Sequence, residues 1–419
     1  MTWAASLQPL RNRNFAWYFG SRIVDTLGTM MSSVALAFAV LAISDSATAL
    51  GQVLAAHTIP MVVFLLYGGV IADRFPRALV MQASNVLAAA SQGLLAFLVI
   101  TGQAELWMMI VLAAFNGTVD AVGFPAMAGM VPQLVKRDQL QPANALLSMS
   151  RGGLTIIGPS LSALLVVTVG AGWGLAFNAL TWVVSAALLV PVKIPPRPPK
   201  TEQTSTLQDL REGWTLFWGT TWLWVVVVAF AFLNAIHTGA WFTLGPVVAK
   251  DTIGIQSWGF VLSAESLGLL AMTVVLLRFR LRRPLLVGML GCALFSLPLV
   301  ILGVDPHVVA LVVAAFVAGA GIEVFSMGWN LAMQENIEDD MLSRAYSYDA
   351  LGSFVAMPVG QLLYGPLGEA FGYRNVLVWS GVAYASIALL ALTSRSVRTL
   401  DRASTSTPVE SATQPAAPG

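Results

Sequence analysis

The stretch Gly68-Gly69-Val70-Ile71-Ala72-Asp73-Arg74-Phe75-Pro76-Arg77 decides how this chain is read. Gly51 to Ala72 contains no Asp, Glu, Lys or Arg, and neither does Ala78 to Thr101. Each flanking run is long enough to cross a bilayer, which takes roughly 20 apolar residues. The charged turn between them is therefore a very short loop at a membrane surface.

Composition extends that reading outward. Of 419 residues, 57% are hydrophobic and only 10% charged, where a soluble domain carries about 25% charged residues. The length accommodates twelve spans, expected at 15–43, 47–71, 78–101, 105–131, 141–169, 173–192, 219–249, 255–277, 284–303, 306–333, 343–368 and 373–394. The first residues lack an apolar core, and Arg11 and Arg13 precede the first apolar run. That run is expected to act as an uncleaved anchor rather than a signal peptide.

The connections are short except 193–218, which is Pro-rich and then polar. Within it Leu207, Leu210, Trp214 and Phe217 recur at helical spacing, which predicts a surface helix. This gives an N-terminal six-helix bundle over 1–192, a linker over 193–218, a C-terminal bundle over 219–398 and a Ser/Thr/Pro/Ala-rich tail over 399–419, expected to be disordered. Four pairs recur at one offset: Gly117 and Gly319, Val135 and Ile337, Leu140 and Leu342, Gly158 and Gly360. Two parallel six-helix halves leave such a trace.

Basic residues crowd the N-terminal side of the membrane, from Arg11, Arg13, Arg74, Arg77, Lys136 and Arg137 to Arg395, Arg398 and Arg402. The opposite side holds only Lys250 and Arg374. Lys and Arg in short loops favour the cytoplasm. Both termini are thus expected in the cytoplasm of a cell with this chain in its plasma membrane, which requires an even number of spans.

The pattern Gly69-x-x-x-Asp73-Arg74-x-Pro76-Arg77 resembles the signature loop between helices 2 and 3 of the major facilitator superfamily. Pro76 stands where that loop usually has a glycine, and Ala78 where it has a second basic residue. Phe124-Pro125-Ala126 and Gln139 to Ala145 resemble the enterobactin-exporter and macrolide-efflux-like branch. So do Asp209 to Gly213, Ser343 to Ser347, Pro358-Val359-Gly360 and Gly365-Pro366-Leu367. Gly158-Pro159 resembles the antiporter motif of exporters, with Ser162 and Ala163 replacing a glycine pair and Gly153 one residue too far upstream. The resemblance implies an all-α transporter of two pseudo-symmetric bundles. Gly69, Asp73, Arg74 and Arg77 would gate it, the alternative being ordinary topology-setting charge.

Five acids lie inside proposed spans: Asp25, Asp120, Glu265, Glu323 and Asp349. A charge at a helix centre costs roughly 2.5–3.5 kcal/mol on insertion scales, so such groups face a cavity or a partner. Burial raises a carboxyl pKa and a nearby Arg lowers it, so a carboxyl held between the two can exchange protons near neutral pH. Arg22 and Asp25 are three apart on one helix face and either neutralise each other or serve transport. Asp120 and Arg151 lie at similar depth and are expected to pair, or else Arg151 binds an anionic substrate. Glu265 and Glu323 lack a local cation and are the leading protonation candidates, against a role in interhelical hydrogen bonding. Asp349 sits about two turns from a helix end. His57 and His237 lie within spans, where one hydrogen bond to a neutral ring is the commoner role. Trp241 and Trp329 either stack on a flat substrate or pack between helices.

No His, Cys and carboxylate cluster has metal-site spacing, no Gly-x-x-x-x-Gly-Lys-Ser/Thr phosphate loop occurs, and no cofactor is implied. A net charge of +1 gives no global case for nucleic-acid binding. Lone Cys292 excludes an intrachain disulfide. No nucleophile, base and orienting group occur at recognisable spacing, so an embedded enzyme is the weakest reading. The expectation is a monomeric secondary transporter exporting a hydrophobic or amphiphilic molecule against protons: a drug, an antibiotic or a siderophore. Uptake or facilitated diffusion on the same fold, and a non-transporting receptor, are the alternatives.

Overall fold

The computed structural model describes residues 7–128, 130–136, 139–193, 214–276, 278–279 and 281–400. Twelve helices in it are long and apolar enough to cross a membrane. In chain order they are α1 (Arg13–Ser44), α2 (Ala47–Arg74), α3 (Arg77–Ile100), α4 (Leu106–Ala128), α5 (Leu140–Val169) and α6 (Ala171–Leu189). The second six are α7 (Thr221–Asp251), α8 (Ile255–Leu276), α9 (Pro284–Val304), α10 (Val308–Asn336), α11 (Asp339–Phe371) and α12 (Tyr373–Ala391). Every expected span is a helix, with ends shifted by a few residues. The loop that opened the sequence reading shrinks to Phe75 and Pro76 between α2 and α3.

Short polar punctuation ends the helices. The Asn12 side chain accepts hydrogen bonds from the Asn14 and Phe15 amides and starts α1. Ser46 caps α2 through the Ala49 amide. Gly170 and Gly372, at φ of 99° and 85°, make the turns into α6 and α12 that a side chain would strain. α7 departs from regular geometry, because His237–Leu244 is π-helical. Such wide turns inside helices occur often at functional sites.

Within each half the helices pack in matching pairs: α2 with α4 and α8 with α10, α1 with α5 and α7 with α11, α3 with α6 and α9 with α12. The repeated glycines sit at matching crossings. A Cβ on Gly117 in α4 would overlap the His57 carbonyl of α2, and one on Gly319 in α10 would overlap the Glu265 carbonyl of α8. Gly158 in α5 abuts Met30 of α1, and Gly360 in α11 abuts Ala235 of α7. Val135 and Ile337 are buried and each follows the last residue of a helix. The offset seen in the sequence is thus a pair of close backbone approaches, which only glycine permits.

The halves meet along α5 with α8 and α2 with α11. Ser160 and Ser263 hydroxyls lie 2.7 Å apart across the first seam. Large apolar side chains, among them Phe64, Leu94, Leu180 and Leu363, remain exposed around the bundle, as a surface solvated by lipid requires. In the linker, 214–219 is helical and stacks Phe217 on Tyr348 with ring centroids 5.7 Å apart. Leu207 and Leu210, and the tail from residue 401, lie outside the described residues.

Candidate functional site

The acids inside the membrane are the natural centre of a site, because each must be held by something. Arg22 and Asp25, one turn apart on α1, form a largely buried ion pair. The Trp182 indole of α6 also donates to Asp25, and Asp120 lies within electrostatic range of it. Asp120 itself is held by His57: Nε2 and Oδ2 are 2.9 Å apart, joining α2 to α4. The expected pairing of Asp120 with Arg151 therefore does not form. His57 is within reach because Gly117, one turn before Asp120, lets α4 lie directly against the backbone of α2.

In the second half, Glu265 of α8 accepts a hydrogen bond from the Trp241 indole at 2.9 Å. Its other oxygen is 4.0 Å from His237 Nε2. That nitrogen is buried without a hydrogen-bond partner. His237 and Trp241 both belong to the π-helical stretch of α7. Around them, Phe295 and Phe242 meet the imidazole edge-on at 4.7 and 5.1 Å, and Trp258 packs 4.7 Å from Trp241. Glu323 of α10 accepts from the Thr273 hydroxyl at 2.8 Å, and Asp349 of α11 from the Trp329 indole at 2.9 Å.

Three of the five acids are thus served by an indole N–H from another helix. An indole can only donate. It supplies a hydrogen bond to a carboxyl group without bringing a charge into the membrane. Sequence reading missed this function of Trp182, Trp241 and Trp329. The available signal was their position well inside spans, away from the interfaces where indoles gather. A polar ladder was also missed: Gln92 donates to Ser32 at 3.1 Å, Asn116 to Gln92 at 3.3 Å and Ser91 to Asn116 at 2.6 Å.

The antiporter-like segment lies at the crossings of α5. Gly158 packs on Met30 of α1, and the Pro159 carbonyl faces Gly259 of α8. Ser162, in a position where the motif has glycine, donates to the Met31 carbonyl at 2.6 Å. Ala163 fits against Gly259. Small side chains here let one helix touch both a partner in its own bundle and one in the other.

In the loop region between α2 and α3, expected from the resemblance to gate, Arg74 is exposed and Arg77 half-buried. Gly69 and Asp73 belong to α2, and their side-chain surroundings lie outside what is described.

The two bundles are tied together at the ends of the helices away from the termini. Lys250, at the end of α7, bonds Asp45 at 2.6 Å and reaches the Leu41 carbonyl of α1 at 3.4 Å. Ser46 donates to Glu369 of α11 at 2.9 Å. Away from those contacts, on the side of the termini, a cavity of about 210 Å³ opens between α1, α4 and α5, lined in part by Arg22 and Arg151.

In sequence and in fold the chain is similar to known proteins. The profile of the family described as "Transmembrane secretion effector" matches residues 4–416. The chain belongs to that family of major facilitator superfamily transporters. Macrolide efflux protein A of Streptococcus pyogenes is 21% identical over 402 residues, covering 92% of this chain and 97% of the relative. The multidrug efflux pump Tap of Mycolicibacterium fortuitum is 24% identical over 397 residues, covering 90% and 94%. The enterobactin exporter EntS of Shigella boydii is 26% identical over 203 residues, covering 47% and 48%. Among solved structures, the nucleoside transporter NupG superposes with a TM-score of 0.71 at 13% identity, over 90% of this chain and 98% of that one. The chain is therefore a multi-pass membrane transporter of small molecules.

Proposed function

We propose that this transporter exports a hydrophobic or amphiphilic small molecule across the plasma membrane, driven by protons entering in the opposite direction. The observation that carries the reading is Glu265. It is an acid inside a span; among the described residues no cation other than a His is in ion-pair contact with it, and Trp241 is its one charge-free donor. Such a group can be neutral or charged within one geometry, which an ion pair cannot. The reading is also supported by the seal on the side away from the termini, with a cavity on the other. If the termini are cytoplasmic, as the basic residues argue, the cavity faces the compartment from which an exporter loads. Relatives named for efflux favour this direction. Opening the opposite side would break Lys250–Asp45 and close the cytoplasmic face at the short loop carrying Asp73, Arg74 and Arg77.

Everted vesicles provide the test, with fusidic acid and dansyl-leucine, two amphiphiles that carry a carboxylate, as probes. Accumulation is expected on energisation, collapse with a protonophore, and at least a tenfold loss in Glu265→Gln, which keeps the acceptor for Trp241. Movement indifferent to the gradient would overturn proton coupling. Accumulation by intact cells in place of everted vesicles would reverse the direction.

A further inference from the structure

We infer that the cavity between α1, α4 and α5 receives the anionic head of the substrate, so that the exported molecule is an amphiphile with a carboxylate or similar anion at one end. The inference rests on the transport reading and adds the substrate's charge class. Two polar stripes face each other across the cavity. On α1, Tyr18, Arg22 and Thr26 are each four residues apart; on α5, Asn144, Ser148 and Arg151 follow at four and three. Those spacings put each set on one helix face. The rest of the lining includes Met127, Val131 and Leu154.

Among the described residues the lining contains two guanidinium groups and no carboxylate. Arg22 is already engaged by Asp25. Arg151 is exposed to the cavity and makes no ion pair with a described residue. Asp120, the partner expected from depth, is bonded to His57 instead. A charged side chain inside a span almost always faces a partner or a water-filled cavity and marks a substrate path; Arg151 has the cavity and no described ionic partner. A guanidinium presents a planar fork of donors that matches a carboxylate two bonds at a time. Asn144, Ser148 and Tyr18 add neutral hydrogen-bonding groups around it. Drug-sized ligands occupy roughly 300–1,000 Å³, whereas this cavity holds about 210 Å³. It suits a head group, leaving the apolar remainder of the molecule in the space between the bundles.

The test uses the full chain in phosphatidylcholine nanodiscs and a matched pair of probes, dansyl-leucine and its neutral amide, followed by fluorescence anisotropy. The anion is expected to bind at least tenfold more tightly, with an advantage that shrinks as salt is raised. Arg151→Gln should erase the preference for the anion, and Arg151→Lys should keep most of it. Equal or tighter binding of the amide would overturn the inference, as would an undiminished preference in Arg151→Gln or no saturable binding of either probe. Because no gradient is present, this failure is distinct from a failure of coupling. Gradient-independent flux in vesicles would leave a head-group site standing.

Discussion

His57 and Glu265 occupy the same place in the two halves. Each lies on the second helix of its bundle, with its backbone pressed by the glycine of the fourth helix, Gly117 or Gly319. Their surroundings differ in kind. In the first half the two described acids inside spans each have an ionic or ionisable partner: Arg22 for Asp25, His57 for Asp120. In the second half the acids rest mainly on neutral donors: Trp241, Thr273 and Trp329. One scaffold has been filled with an ion pair and a His–carboxylate contact on one side, and with carboxyls held by neutral donors on the other. An ion pair such as Arg22–Asp25 favours one protonation state; a carboxyl held by a neutral donor can be charged or neutral. On the proposed function the halves divide the work, the first selecting the cargo and the second responding to protons.

That contrast sets the expected size of each perturbation. The largest should come from Arg22→Met, which strands Asp25 and should cost about 3 kcal/mol. The double variant with Asp25→Leu should recover most of that, read as midpoints of unfolding in mixed micelles. A double variant no better than the single would mean that the pair is not the unit. Next, Gly117→Ala and Gly319→Ala should each cost about 1–3 kcal/mol, and by similar amounts, because each adds a Cβ against a carbonyl oxygen. A large difference in thermal midpoint between them would break the equivalence of the halves. Smaller again, Trp241→Phe removes a single donor to Glu265 and should cost about 1–1.5 kcal/mol while altering the pH profile of transport. Trp329→Phe should cost as much without altering that profile, if Asp349 is a bystander. The smallest effect belongs to Lys250→Met, since an exposed pair contributes about 0.2–1 kcal/mol. Its readout is the distance between spin labels on the ends of α1 and α7, which should widen.

The fold was legible because each span is an unbroken apolar run and the loops are marked by charge, as at Arg74 and Arg77. The relation of the halves was legible too, since Gly117 and Gly319 stand where backbones touch and nothing larger fits. The partners of the acids were not. Trp182 is far along the chain from Asp25, His57 from Asp120 and Trp241 from Glu265, and each meeting depends on how whole helices cross. Depth along a helix suggested Arg151 for Asp120, but depth says nothing about azimuth, and α4 turns Asp120 towards α2. The neutral donors were harder still, because an indole in an apolar run reads as packing.

The π-helical stretch of α7 carries a last consequence. His237 and Trp241 stand in it, and Lys250 stands at the end of the same helix. α1, at the corresponding place, is a regular helix throughout. If those overwide turns tighten to ordinary pitch when Glu265 changes its contacts, everything beyond them must swivel about the helix axis, carrying the lysine with it. The molecule then has its winding spring on one side only, geared to the bolt at the far mouth.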